Sequence, residues 1–179
     1  NNLAALLFIL PYFIFSATAG QIADKYERSQ LVRYLKLLEI AVMLLATAGF
    51  LIGNLWLLMF ALFLMGTQST FFGPIKYAIL PEILKPNELM SGNALFQSGT
   101  SIAILVGMIL GGAVISLSAG NLLWISLTVL AIAVVGYLAS RFILKQPIAA
   151  PQLEVDWNFF RTSIQTLKYA KNLPLIFLI

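Results

Sequence analysis

Residues 40–75 read IAVMLLATAGFLIGNLWLLMFALFLMGTQSTFFGPI and carry no charged side chain, although Glu39 stands directly before them and Lys76 directly after. About 20 apolar residues suffice for one helical crossing of a hydrocarbon layer about 30 Å thick. This interval therefore holds two crossings, with Gly53-Asn54 as the turn between them. A second charge-free interval lies between Glu88 and Arg141 and breaks at Ser116 to Asn121. Such hairpins predict an all-α fold, a polytopic transmembrane helix bundle, because hydrocarbon offers the backbone no partner outside its own helix.

The rest of the composition agrees. Of the 179 residues, 60% are hydrophobic and 10% charged, with a mean hydropathy of +0.93, far from an ordinary soluble domain. With no cysteine there are no disulfides or thiolate metal sites, and with no histidine the usual imidazole base is missing. Neither a catalytic set, a metal, a cofactor nor a nucleic-acid partner is expected. Full spans are expected at Leu3 to Ile22, Leu35 to Ile52, Leu55 to Leu80, Leu89 to Ile115 and Leu122 to Leu144, with a sixth opening near Leu173. The start without methionine and the stop inside an apolar run suggest a piece of a longer protein.

All eleven Lys and Arg residues fall on one side of this topology, and the uncharged turns fall on the other. The cation bias assigns Ala23 to Tyr34, Pro81 to Glu88 and Lys145 to Asn172 to the cytoplasm, with Lys36 and Lys76 facing the same way. In the last of these segments Pro147 and Pro151 interrupt regular structure. Beyond Asp156, the residues Trp157, Phe160, Ile164 and Leu167 recur near helical spacing among Arg161, Lys168 and Lys171. That pattern fits an amphipathic helix lying on anionic lipid, or equally one packed on the bundle.

Several side chains inside the spans are candidates for function. Pro74 lacks an amide hydrogen and crowds the preceding turn, so a kink is expected at Gly73-Pro74, where the glycine also admits a close neighbour. Ser69 and Lys76 are seven residues apart and share a helix face with Met65 and Phe72, a soft apolar surface with one cation. The span from Leu55 to Leu80 is about 39 Å long, which puts Lys76 near the inner membrane boundary. There it either snorkels to the headgroup layer or holds a phosphate or carboxylate headgroup. Gly99, Ala103, Gly107 and Gly111 recur every fourth residue and predict a groove for close helix packing. Asn93 and Gln97 lie on another face, lining a cavity or bonding a neighbouring helix. Lys36 and Glu39, three residues apart, suggest an internal ion pair, with a coupling carboxylate as the sharper alternative.

Two stretches carry a family resemblance. Gly20, Asp24, Lys25 and Arg28 resemble the loop between the second and third helices of the major facilitator superfamily, with Glu27 in place of its second glycine and Ser29 in place of its last basic residue. This loop is either a latch between the inner ends of a bundle or a solvated turn that fixes topology. Gly107-Met108-Ile109-Leu110-Gly111-Gly112 is similar to that superfamily's antiporter signature, with Met108 at the proline position, which argues against antiport. The run Gly73-Pro74-Ile75-Lys76-Tyr77-Ala78-Ile79-Leu80-Pro81-Glu82 resembles a segment of bacterial lysophospholipid transporters.

The resemblance implies that residues 1–145 are helices two to six of an amino-terminal half, with a first helix in front. It implies that 146–172 form the cytoplasmic connection between halves and that 173–179 open helix seven. It also implies an inner-membrane protein that moves lysophosphatidylethanolamine between leaflets, with membrane lipids and the other half as partners. A fused acyltransferase and acyl-carrier-protein synthetase occurs in some of these proteins. A drug or metabolite exporter, or the membrane section of such a bifunctional enzyme, are the alternatives.

Overall fold

A computed structural model describes residues 2–119, 121–145, 147–156, 161, 162, 164 and 168. Five long helices dominate: α1 (Asn2–Lys25), α2 (Arg28–Ile52), α3 (Leu55–Ala78), α5 (Leu89–Leu117) and α6 (Leu122–Ser140), with a single turn, α4 (Leu80–Ile83), between α3 and α5. All five are long and apolar enough to cross a membrane. The expected sixth span and most of the expected amphipathic helix lie outside the described residues.

Local chemistry sets the boundaries. Helix α2 begins at Arg28, seven residues before the expected start, because the Glu27 carboxylate accepts from the backbone N–H groups of Ser29 and Gln30. Gly53, at φ 68°, ends α2 in the left-handed conformation, and Asn54 then caps α3 by accepting from Leu57 N at 3.2 Å. Asn121 does the same for α6 through Leu123 N at 3.0 Å. Pro74 lies inside α3, which continues past it; the interruption comes at Ile79, followed by α4 with Pro81 in its first turn.

Helix α1 packs along α3, and α2 packs on both α3 and α6. Small side chains make the first contact close: Ala19, Ala23 and Ala61 are buried, and a Cβ on Gly66 would overlap the backbone oxygen of Phe8. The glycines expected to serve this purpose lie away from this contact. Among the described residues, nothing lies within 4 Å of a Cβ built at Gly20, Gly73, Gly99, Gly107 or Gly111. The last three lie on α5, which has no buried residue and meets the described structure mainly at α4 and α6. Their stripe therefore meets no neighbour among the described residues. Large apolar side chains such as Phe13, Trp56 and Met90 cover the outside, as a bilayer requires.

The segment after α6 folds back under the bundle. Arg33 donates to Ile143 O at 3.1 Å, Ala150 N to Asp24 O at 2.9 Å, and Asp156 N to Gln21 Oε1 at 2.9 Å. These bonds hold it across the ends of α1 and α2 that carry the basic loop.

Candidate functional site

Where α3 gives way to α4, a cavity of about 400 Å³ opens between the ends of α2, α3, α5 and α6. Its walls are Val32, Phe72, Ile79, Leu80, Ile83, Phe96 and Phe142 to Leu144, and Lys76 is its one charged lining residue among the described residues. The Lys76 ammonium stands 4.8 Å from the Tyr77 ring centroid and 5.8 Å from that of Phe96. Both rings present electron-rich faces that compensate part of the water the cation gives up. Tyr77 in turn donates its hydroxyl to Gln97 Oε1 at 3.1 Å. Adjacent residues on α3 thus grip adjacent residues on α5. An ammonium above an apolar cleft can bind an anionic headgroup while the cleft takes hydrocarbon.

A second cluster gathers at the neighbouring helix ends. Arg28, 5% exposed, donates to Ala23 O at 3.2 Å and to Ala78 O at 3.1 Å, reaches Asp24 Oδ1 at 3.4 Å and pairs with Glu82. One guanidinium therefore satisfies carbonyls left open at the ends of α1 and α3 and neutralises an acid on α4. The Asp24 side chain is half exposed, so Glu82, at 18%, is the more consequential partner. Lys25 projects over the Tyr26 ring at 5.8 Å.

A third cluster lies deeper. Lys36 Nζ is 2.7 Å from Glu39 Oε2, and Gln68 Nε2 donates to the same oxygen at 3.0 Å. Because α2 starts at Arg28, these groups sit about 12 to 17 Å along the helix from its charged end. The Lys36 ammonium also lies 5.2 Å from the Phe72 ring centroid, and its stem runs beside Gly136 of α6. An ion pair at this depth ties three helices and leaves neither charge facing hydrocarbon alone.

The expected site residues are thus divided. Lys76 lines the cavity and Gln97 is joined to it through Tyr77, whereas Asn93 is exposed on α5. Ser69 is about 10 Å away along α3, within reach of Gln68 at 3.4 Å. Gly99 borders a separate groove beside Phe96. Glu27, Glu82, Gln68 and Phe96 were missed. The sequence signal for Glu82 was an acid in a short segment on the same side as the basic loop. For Gln68 it was an amide in an otherwise apolar span.

Several known proteins resemble the chain. It is 34% identical over 105 residues to the "Lysophospholipid transporter LplT" of Pectobacterium carotovorum, covering 59% of this chain and 24% of that protein. It is 30% identical over 153 residues to the protein of that name from Yersinia enterocolitica, covering 86% and 35%. It is also 30% identical over 157 residues to that from Serratia proteamaculans, covering 86% and 36%. The chain thus spans about a quarter to a third of the length of these relatives. No solved structure is a significant match. The family model described as Major Facilitator Superfamily matches residues 1–179. With five apolar spans matched from end to end by that model, the chain belongs to the Major Facilitator Superfamily.

Proposed function

We propose that the protein containing this chain moves lysophospholipid, such as lysophosphatidylethanolamine, across the bacterial inner membrane, with its basic loops in the cytoplasm. In this reading α1, α2, α3, α5 and α6 are the second to sixth helices of the amino-terminal half. Residues 146–172 join the halves and 173–179 open the seventh helix. The halves rock about the substrate, and the cluster of Asp24, Arg28 and Glu82 steadies the cytoplasmic ends in one end state. A catalytic domain fused further along the full-length protein would consume the delivered lipid and leave these roles unchanged.

The observation that carries the reading is Lys76, an ammonium bordered by two aromatic rings at the rim of an otherwise apolar cavity. A lysophospholipid has the complementary parts, a phosphate for the cation and one hydrocarbon chain for the cleft. The test is uptake of labelled lysophosphatidylethanolamine into spheroplasts that lack their own transporter and express the full-length protein. Lys76→Ala should lower uptake about tenfold, the loss of one charge-assisted contact worth roughly 1.4 kcal/mol, while Lys76→Arg keeps most of it. Equal wild-type rates in both variants would leave Lys76 only as a snorkelling cation.

A further inference from the structure

Lys76 stands on a turn that its own helix holds weakly. Pro74, two residues before it, has no amide hydrogen to donate to the carbonyl of Thr70, and α3 breaks at Ile79, three residues after it. The two residues that follow the lysine are instead tied sideways. Ala78 O accepts from Arg28 at 3.1 Å, and the Tyr77 hydroxyl donates to Gln97 Oε1 on α5 at 3.1 Å.

The lysine also differs from the cations around it. Arg28 pairs with Asp24 and Glu82, and Lys36 pairs with Glu39. Among the described residues Lys76 has no acid and no hydrogen-bond partner, and its ammonium is held instead by the rings of Tyr77 and Phe96, at 4.8 Å and 5.8 Å. Those rings lie 6.3 Å apart and are inclined at 60°, so they form a corner in which the ammonium rests. A ring face attracts a cation through its quadrupole and supplies no lone pair, so the three N–H donors stay available to a phosphate.

We propose that Tyr77 and Gln97 are positioning residues for Lys76. Gln97 fixes the far end of the Tyr77 ring, the ring fixes one wall of the corner, and the corner aims the ammonium at the cavity that Lys76 and Phe96 line. Tyr77 and Gln97 do not line that cavity, so each acts on an anionic headgroup through the lysine. That the anion is a lysophospholipid phosphate rests on the function proposed above; the clasp itself rests on the hydrogen bond, the ring geometry and the weakly held turn.

The test measures uptake of labelled lysophosphatidylethanolamine against its concentration, in spheroplasts that lack their own transporter and express the full-length protein. Tyr77→Phe keeps the ring and drops the hydroxyl, whereas Gln97→Leu keeps the tyrosine and drops the acceptor. Each should raise the half-saturating concentration about threefold, within the range of one neutral hydrogen bond, with the maximal rate unchanged. The two together should do no more than either alone, because the same bond is lost in all three variants. In a Lys76→Ala background Tyr77→Phe should change nothing further, since the residue it positions is gone. A threefold loss that persists in that background, a fall in maximal rate alone, or no effect of either single variant would overturn the positioning role. Equilibrium binding of the same lipid to the full-length protein in nanodiscs separates the two readings: wild-type binding without uptake refutes transport, and wild-type binding that neither single variant weakens refutes the clasp.

Discussion

Removing the Arg28 charge tests how the helix ends are held. In Arg28→Met the aliphatic stem remains but the guanidinium is lost, and with it the bonds to Ala23 O and Ala78 O and the pairing with Glu82. Three terms then compete. The Asp24 contact is long, and its side chain is 54% exposed, so it contributes under about 1 kcal/mol. The two carbonyls can find water at a helix end, which limits their cost to about 1 kcal/mol each. Glu82 decides the outcome, because its side chain is 18% exposed and its second oxygen is buried with no hydrogen-bond partner among the described residues. Leaving a largely buried acid without its counter-ion costs about 3 kcal/mol or more.

The melting temperature of the full-length protein should fall measurably, by less per kcal/mol than the about 2 to 4 °C of a unit the size of this chain. Tryptophan fluorescence of the full-length protein in detergent reads it. Glu82→Gln alone should cost about 1 kcal/mol, since the amide oxygen still accepts from Arg28. The double variant should be more stable than the sum of the singles by about 2 kcal/mol, because a neutral amide in place of the Glu82 carboxylate no longer needs a counter-ion. Additive losses, or an unchanged melt for Arg28→Met, would refute the assignment of Glu82 as the principal partner.

Two further substitutions test the packing. Gly66→Ala forces α1 away from α3 at Phe8 and should cost about 2 kcal/mol, whereas Gly107→Ala meets open space and should be neutral or stabilising; equal losses in the full-length protein would instead make the α5 stripe a helix interface. Glu27→Ala removes the cap of α2 and should cost about 1 kcal/mol, with faster hydrogen exchange at Ser29 and Gln30, and unchanged exchange at those amides would dismiss the cap.

The spans were legible because hydrocarbon imposes a single rule. An interval without charge, long enough to cross twice and interrupted by Gly53-Asn54, has few alternatives. The start of α2 was less visible, since charge density suggested a loop up to Tyr34. Hydropathy does not register that the Glu27 side chain caps the N–H groups of Ser29 and Gln30. The same residue replaces a glycine of the loop pattern, so a departure from the motif is here a helix start. Spacing did not locate the contact between α1 and α3. A four-residue repeat of small side chains marks a face that can pack, yet only the position of α1 against α3 shows that Gly66, outside the repeat, is where backbones meet.

Lys76 and Glu82 were both visible in the segment from Gly73 to Glu82, but a linear reading gives them one purpose. The break at Ile79 separates them. It turns α4 so that Glu82 reaches Arg28 at the ends of α1 and α3, while its neighbours Leu80 and Ile83 wall both the Lys76 cavity and the groove beyond Phe96. One short turn is therefore a wall of both cavities on one side and a member of the ion-paired cluster on the other. A ligand that pushes on Leu80 and Ile83 must move Glu82 against Arg28, and a change in the Arg28 pairing must alter the shape of both cavities. Four residues are too few to absorb such a displacement internally, and Pro81 stiffens them further. This turn thereby makes the cluster at the helix ends and the two cavities parts of one mechanical element.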